Sequence, residues 1–323
     1  MTNEFSALPK LSELVKSEIK ASLLFDRYLF TLNDDYLQNE ALPYMIKAAD
    51  DLEATLNEKD DFGFYILSNN DPTIEVAAAN FLLHDLVATC NILQMYQERV
   101  PRWMEILSAL PPYRIDVNDE FRRNLFGETA NDKKSIDVPQ LLGLFYRNDP
   151  IITRNLDLRE ACRTSITNCV DYRKSIGHNT FDEGFIQLAL SSAAIGDGET
   201  AYKLLLDSEQ HWRNKDYAAL LPIIRKMLVQ SSYSPETDKC YLNLLPAAPS
   251  VWTKGGLRYS EIRGGIVMSD FSWDNEKEVS TILMSRMDIT VDIYIRGRFL
   301  KSIDLKAGAP HRIIARHRLA RNE

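Results

Sequence analysis

Through most of the first 244 residues, apolar side chains recur at spacings of three and four, the period of a helix with one buried face. Leu42, Tyr44, Met45, Ala48, Ala49 and Leu52 form such a stripe between Asn39 and Leu56, and Leu23, Leu24, Tyr28 and Leu29 form another between Ser22 and Phe30. A long third helix is predicted from Thr73 to Arg99, burying Val76, Phe81, Leu82, Leu86, Leu93 and Met95. Further helices are predicted at Arg102–Ala109, Pro139–Leu144, Asp157–Lys174, Phe181–Ala194, Gly198–Glu209 and Tyr217–Gln230. After Trp252 the period falls to two. Gly265–Phe271, Glu278–Ser285, Ile289–Ile295 and Phe299–Leu305 are short, β-branched and bounded by Gly, Asp or Asn, as antiparallel strands are, with Arg296-Gly297-Arg298 as a hairpin turn. Between the two regimes, Pro246 and Pro249 end helical continuation, and Gly255-Gly256 and Gly264-Gly265 supply turn backbone. The expectation is a mainly α chain with a helical domain over 1–245 and a small antiparallel β-domain over 246–323.

Composition narrows the function classes. The chain has 323 residues, 45% of them hydrophobic and 26% charged, with net charge −8, long enough for a sizeable core. An acidic balance without a basic stripe argues against nucleic acid as a partner, since that binding rests on phosphate neutralisation. The locally basic run from His311 to Arg321 reads as a solvated terminus. No apolar run approaches the ~20 residues that span a bilayer, so no membrane partner is expected. The amphipathic start lacks a secretory apolar core, which places the chain as written in the cytoplasm, or in the periplasm or outside if the true N-terminus lies elsewhere.

Cys90, Cys162, Cys169 and Cys240 are too widely spaced for a paired-cysteine motif and read as reduced core thiols. His84 has no second histidine at i+4 to complete a metal face, and the five histidines are scattered. No metal or cofactor is expected. Phosphate-loop, dinucleotide and nucleophile-elbow motifs are absent.

The junction reads LLPAAPSVWTKGGLRYSEIRGG from Leu244 to Gly265. It resembles the "LLPALP-x-x-W-x-x-G-x-x-x-G-L-x-x-RGG" wording of glycoside hydrolase family 95, the α-L-fucosidases and α-L-galactosidases, at Leu244, Leu245, Pro246, Ala247, Pro249, Trp252, Gly255, Arg263, Gly264 and Gly265. In the same order, LSALPPYRI is similar to that family's "L-P-P-Y-x-I" loop, VPQLLGLFYRNDPI to "H-L-x-G-L-F-P-x-x-x-I" and GDGETAYKLL to "G-D-G-x-x-A-Y-x-L-L". The resemblance runs over roughly residues 20 to 300. It implies part of an (α/α)6 barrel followed by a β-sandwich-like domain, and a fucosyl, galactosyl or acidic sugar as ligand. A family member carries an N-terminal β-sandwich and further barrel helices ahead of this region. The resemblance therefore implies an open barrel edge, closed by homodimerisation or by a separately encoded N-terminal half.

An inverting glycosidase needs a protonated carboxyl and, ~6.5–9.5 Å away, a second group that activates water. Counted without gaps along the family's motifs, Arg123 stands at the acid and Lys215 at the base, and neither can perform those roles. Glu120 and Asp216 are the neighbouring carboxylates that could replace them. The leading expectation is a catalytically impaired relative. The alternatives are an active inverting exo-glycosidase and a non-enzymatic helical interaction or sugar-binding module. Trp103, Trp212, Trp252, Trp273, Tyr113 and Phe145 are aromatic candidates for stacking on sugar, with Tyr113 and Trp212 preferred because they fall in loops that border the family's sugar site. Arg122, Arg123 and Lys215 would favour an acidic sugar.

Overall fold

The computed structural model describes residues 11–67, 72–118, 123–126, 139–177, 182–207 and 217–316. The chain forms a helical region followed by a β-rich one. Chain contacts divide it into two compact units, one holding residues up to Phe25 with Asp35–Ile224, the other Asp26–Asp34 with Arg225 onward.

In the first unit, α1 (Glu13–Thr31) contributes its first turns. Helix α2 (Leu42–Glu53) buries Leu42, Met45, Ala48, Ala49 and Leu52, the stripe its spacing predicts. Helix α3 (Thr73–Leu93) stops at Gln94, whose backbone is left-handed with φ 52°. This helix corrects the reading of short apolar runs: at 21 residues it is long and apolar enough to cross a bilayer by length and composition, with 72% of its apolar window buried in the protein. Asn80, His84 and Asp85 interrupt the run to the eye, yet Asn80 and Asp85 are themselves buried, so polar residues serve its core position. Helix α4 (Val100–Ser108) anchors through Trp103, fully buried, whose indole N–H donates to Glu53 Oε1 at 3.0 Å.

A hairpin follows, β1 (Ile115–Asn118) against β2 (Arg123–Phe126). The helices α5 (Leu142–Phe145), α6 (Pro150–Arg154), α7 (Leu156–Ser175), α8 (Glu183–Ala194) and α9 (Gly198–Asp207) complete the unit with most of α10 (Tyr217–Leu228). Asp149, Asn155 and Asp182 cap α6, α7 and α8 by accepting backbone N–H groups of the first turn.

The second unit is more extensively β than its sequence predicts. Helix α10 ends at Leu228 and the chain passes directly into β3 (Val229–Ser234) and β4 (Lys239–Leu244), where the helical reading continued. In β4 the buried residues Cys240, Leu242 and Leu244 alternate, a period of two over too few positions to stand out beside a helix. The expected strands appear within β6 (Ile266–Asp274), β7 (Glu278–Ser285), β8 (Ile289–Ile295) and β9 (Arg298–Leu305), preceded by β5 (Lys254–Ile262). His311–Arg316, read as part of a solvated tail, is β10: Ile313 and Ala315 point inward and the strand pairs with β7. The strands form two four-stranded sheets, β10-β7-β6-β5 and β3-β4-β8-β9; the second contains one parallel pair, β4 with β8.

The Arg263-Gly264-Gly265 turn between β5 and β6 receives the last turns of α1. Gly264 N–H donates to Leu29 O at 2.7 Å, satisfying a carbonyl that the helix end leaves without a partner. Gly264 and Gly265 have φ of +87° and +64°, and a Cβ on Gly264 would lie 2.8 Å from Ile289 Cδ1. Glycine is required there by conformation and by space.

Candidate functional site

A cleft of about 410 Å³ opens in the helical unit, within the size range of small-molecule sites. Val76 and Asn80, one turn apart, line it from α3. The loop after α4 supplies Leu110, Pro111, Pro112 and Tyr113, and β1 supplies Ile115. Leu107 of α4, Ile151 of α6 and Asn155, Asp157 and Leu158 at the start of α7 complete the described walls. The consecutive prolines Pro111 and Pro112, just after the turn at Ala109-Leu110, fix φ at both positions and so restrict the approach of the chain to Tyr113.

Tyr113 is held at both ends. Its hydroxyl donates to Asp149 Oδ2 at 2.6 Å, and its ring packs tilted against Phe126 at 5.4 Å between centroids. Asp149 is 2% exposed, and its other oxygen accepts the Ile151 N–H at 2.8 Å as the cap of α6. Burial raises the Asp149 carboxyl above its usual range, against the lowering effect of Tyr113, the Ile151 N–H, Arg147 and His84. Burial, with the charge of Asp149, pushes the Tyr113 phenol well up, so it remains a proton donor. Both Asp149 oxygens are engaged in positioning. The cleft wall among the described residues carries one carboxylate, Asp157, which is exposed, and the two-carboxyl arrangement of glycoside hydrolysis is not formed by them.

Behind the cleft, α1 and α3 share buried polar groups. Asp85 accepts hydrogen bonds from Ser22 Oγ at 2.7 Å and from Arg147, whose guanidinium lies over Phe81 at 5.3 Å. Glu18 on α1 is 1% exposed and its Oε1 has no hydrogen-bond partner. Burial, then the charge of Glu75, raises its carboxyl to about 8.

Of the residues singled out from sequence, Tyr113 stands on the cleft wall. Arg123 opens β2 opposite Asn118. Glu120, Trp212, Lys215, Asp216 and Arg122 lie outside the described residues. Trp103 and Trp273 are buried core rings, which removes them as stacking surfaces; Trp273 Nε1 donates to Trp252 O at 2.9 Å. His84 is exposed, while its neighbour Asp85 is buried. Cys90, Cys162 and Cys240 are buried free thiols with pKa raised by burial. Among the described residues, no three His, Cys, Asp or Glu side chains gather as metal ligands. Asn80, Asn155 and Asp157 were missed because each reads from sequence as an ordinary helix-surface or capping residue. For Asn80 the one signal is its helical spacing from the inward-turned Val76; Asn155 and Asp157 are exposed residues at the start of α7 and give none.

No protein-family model matches this chain, and no curated protein matches it.

Proposed function

We propose that this protein is a glycosidase-like sugar-binding protein of carbohydrate metabolism, related to the family 95 α-L-fucosidases and α-L-galactosidases, with a helical region that is part of an (α/α)6 barrel and a catalytically impaired site. One observation carries the reading: the Leu110-Pro111-Pro112-Tyr113 loop, one of the segments that together carry the resemblance, is a wall of the cleft with Asn80, Asn155 and Asp157. A sugar needs an aromatic or apolar surface for its C–H face and amide or carboxylate groups for its hydroxyls, and these walls supply both. With its orienting groups few, the site should bind a monosaccharide with a millimolar constant, about 4 kcal/mol.

Impaired catalysis follows from the charge types at Arg123 and Lys215 and from the engagement of Asp149 in positioning Tyr113. Purified protein assayed on aryl α-L-fucosides and α-L-galactosides should show no turnover above the uncatalysed rate. Turnover abolished by Glu120→Gln or Asp216→Asn would instead make it a working inverting exo-glycosidase.

A further inference from the structure

We infer that the outer face of the β3-β4-β8-β9 sheet is a second binding surface, a platform for a neutral oligosaccharide. Along β4 and β8, the inward residues Cys240, Leu242, Val291 and Ile293 are fully buried, and the alternation turns Tyr241 and Tyr294 to the opposite face. Phe299 on β9 pairs in register with Tyr294 across a bulge. The three rings make a continuous strip: Tyr241 to Tyr294 is 4.3 Å between centroids, and Tyr294 to Phe299 is 5.3 Å, edge to face. Lying on three neighbouring strands, the strip spans two strand spacings, about 10 Å. That is the length of two linked pyranose rings.

Cross-strand aromatic pairs also stabilise sheets. That role accounts for Tyr241 and Tyr294, but not for a phenyl ring 55% exposed on the edge strand, where apolar surface invites self-pairing. The surroundings define the occupant. Beside the strip, Lys239 pairs with Asp292 at 2.7 Å, and Ser302 donates to the same carboxylate. The Lys239 and Asp292 charges cancel, which disfavours an ionic ligand, while their remaining donor and acceptor capacity suits hydroxyl groups. A dry protein partner would have to desolvate this row without replacing its water hydrogen bonds. A glycan brings an apolar C–H face for the rings and hydroxyls for the row.

This surface belongs to the β-unit and its test is separable from that of the cleft. The full chain is run in native gels containing xylan, galactomannan, mixed-linkage β-glucan or arabinogalactan. Retardation is expected in at least one gel, weakened about tenfold or more by Phe299→Ala, kept by Phe299→Tyr and unchanged by Tyr113→Ala, with thermal melts confirming that each variant is folded. Migration unaffected by all four polysaccharides, retardation indifferent to Phe299→Ala, or retardation abolished by Tyr113→Ala would each overturn the proposal. So would light scattering that shows a dimer dissolved by Phe299→Ala without glycan retardation, since the face would then be a protein interface.

Discussion

Asp26 and Arg263, 237 residues apart in the chain, form a two-point ion pair: Arg263 Nε reaches Asp26 Oδ1 at 2.7 Å and Nη2 reaches Oδ2 at 3.0 Å. The remaining nitrogen, Nη1, donates to Ser231 O at 2.9 Å, and the guanidinium plane lies over Phe30, 5.0 Å from its centroid. One side chain thus ties the end of α1, the β5–β6 turn and β3 within the second unit. The matched fork is a geometry that lysine lacks.

Removing that fork should destabilise the β-unit. Arg263→Ala is expected to lower its unfolding free energy by about 2–4 kcal/mol, because it removes the two-point partner of a half-buried carboxylate. Arg263→Lys should recover less than half of the loss. Urea denaturation followed by tryptophan fluorescence gives both numbers, and a double-mutant cycle with Asp26→Asn isolates the pair.

Gly264→Ala tests the turn by another route. A side chain at φ +87° is strained, and its Cβ would press on Ile289. A loss of about 2 kcal/mol or more is expected in the same denaturation experiment, larger than for Ala at Gly297, which has a positive φ but no atom within 4 Å.

Glu18 gives the helical unit a pH dependence. Its carboxyl is raised from the ordinary 4.5 to about 8 when folded, so the folded state holds this proton more tightly than the unfolded state. The contribution is fully present below pH 4.5 and is lost as the pH rises to about 8. Glu18→Gln cannot ionise, and should exceed the wild type at pH 8 by roughly 2–4 kcal/mol while differing little near pH 4.5. Denaturation at pH 5 and pH 8 checks the sign; a wild type that gains on the Gln variant as pH rises would contradict it.

Tyr113→Phe removes the hydroxyl that Asp149 accepts while keeping the ring. A buried acceptor left short should cost about 1–2 kcal/mol of stability. Sugar affinity should fall only slightly, since the stacking face is retained. Tyr113→Ala removes both.

Much of the helical unit was legible because its buried faces repeat over many turns; α2 needs little beyond its own spacing. The β-unit was legible only where alternation was long. Strand β5 was hidden by Gly255 and Gly256, and Gly255 is there because a Cβ would collide with the Trp273 ring. Strand β3 follows α10 without a break, and the alternation of Cys240, Leu242 and Leu244 in β4 behind it was too short to stand apart from the helical reading. In the cleft, Tyr113 stood out as an aromatic residue in a loop that the resemblance singles out, whereas Asp149 acts through contacts with residues 36 positions away and two positions ahead. Partnerships of that kind leave no mark in local spacing.

Sugar binding in the Tyr113 cleft is the proposed property that most needs a direct test. Saturation-transfer NMR on the intact protein with L-fucose, D-galactose and D-galacturonate tests it directly. Transfer to the C–H face of at least one sugar is expected, saturable in the roughly millimolar range, lost in Tyr113→Ala but kept in Phe299→Ala. No transfer to any of the three, or transfer unchanged by Tyr113→Ala, would contradict it.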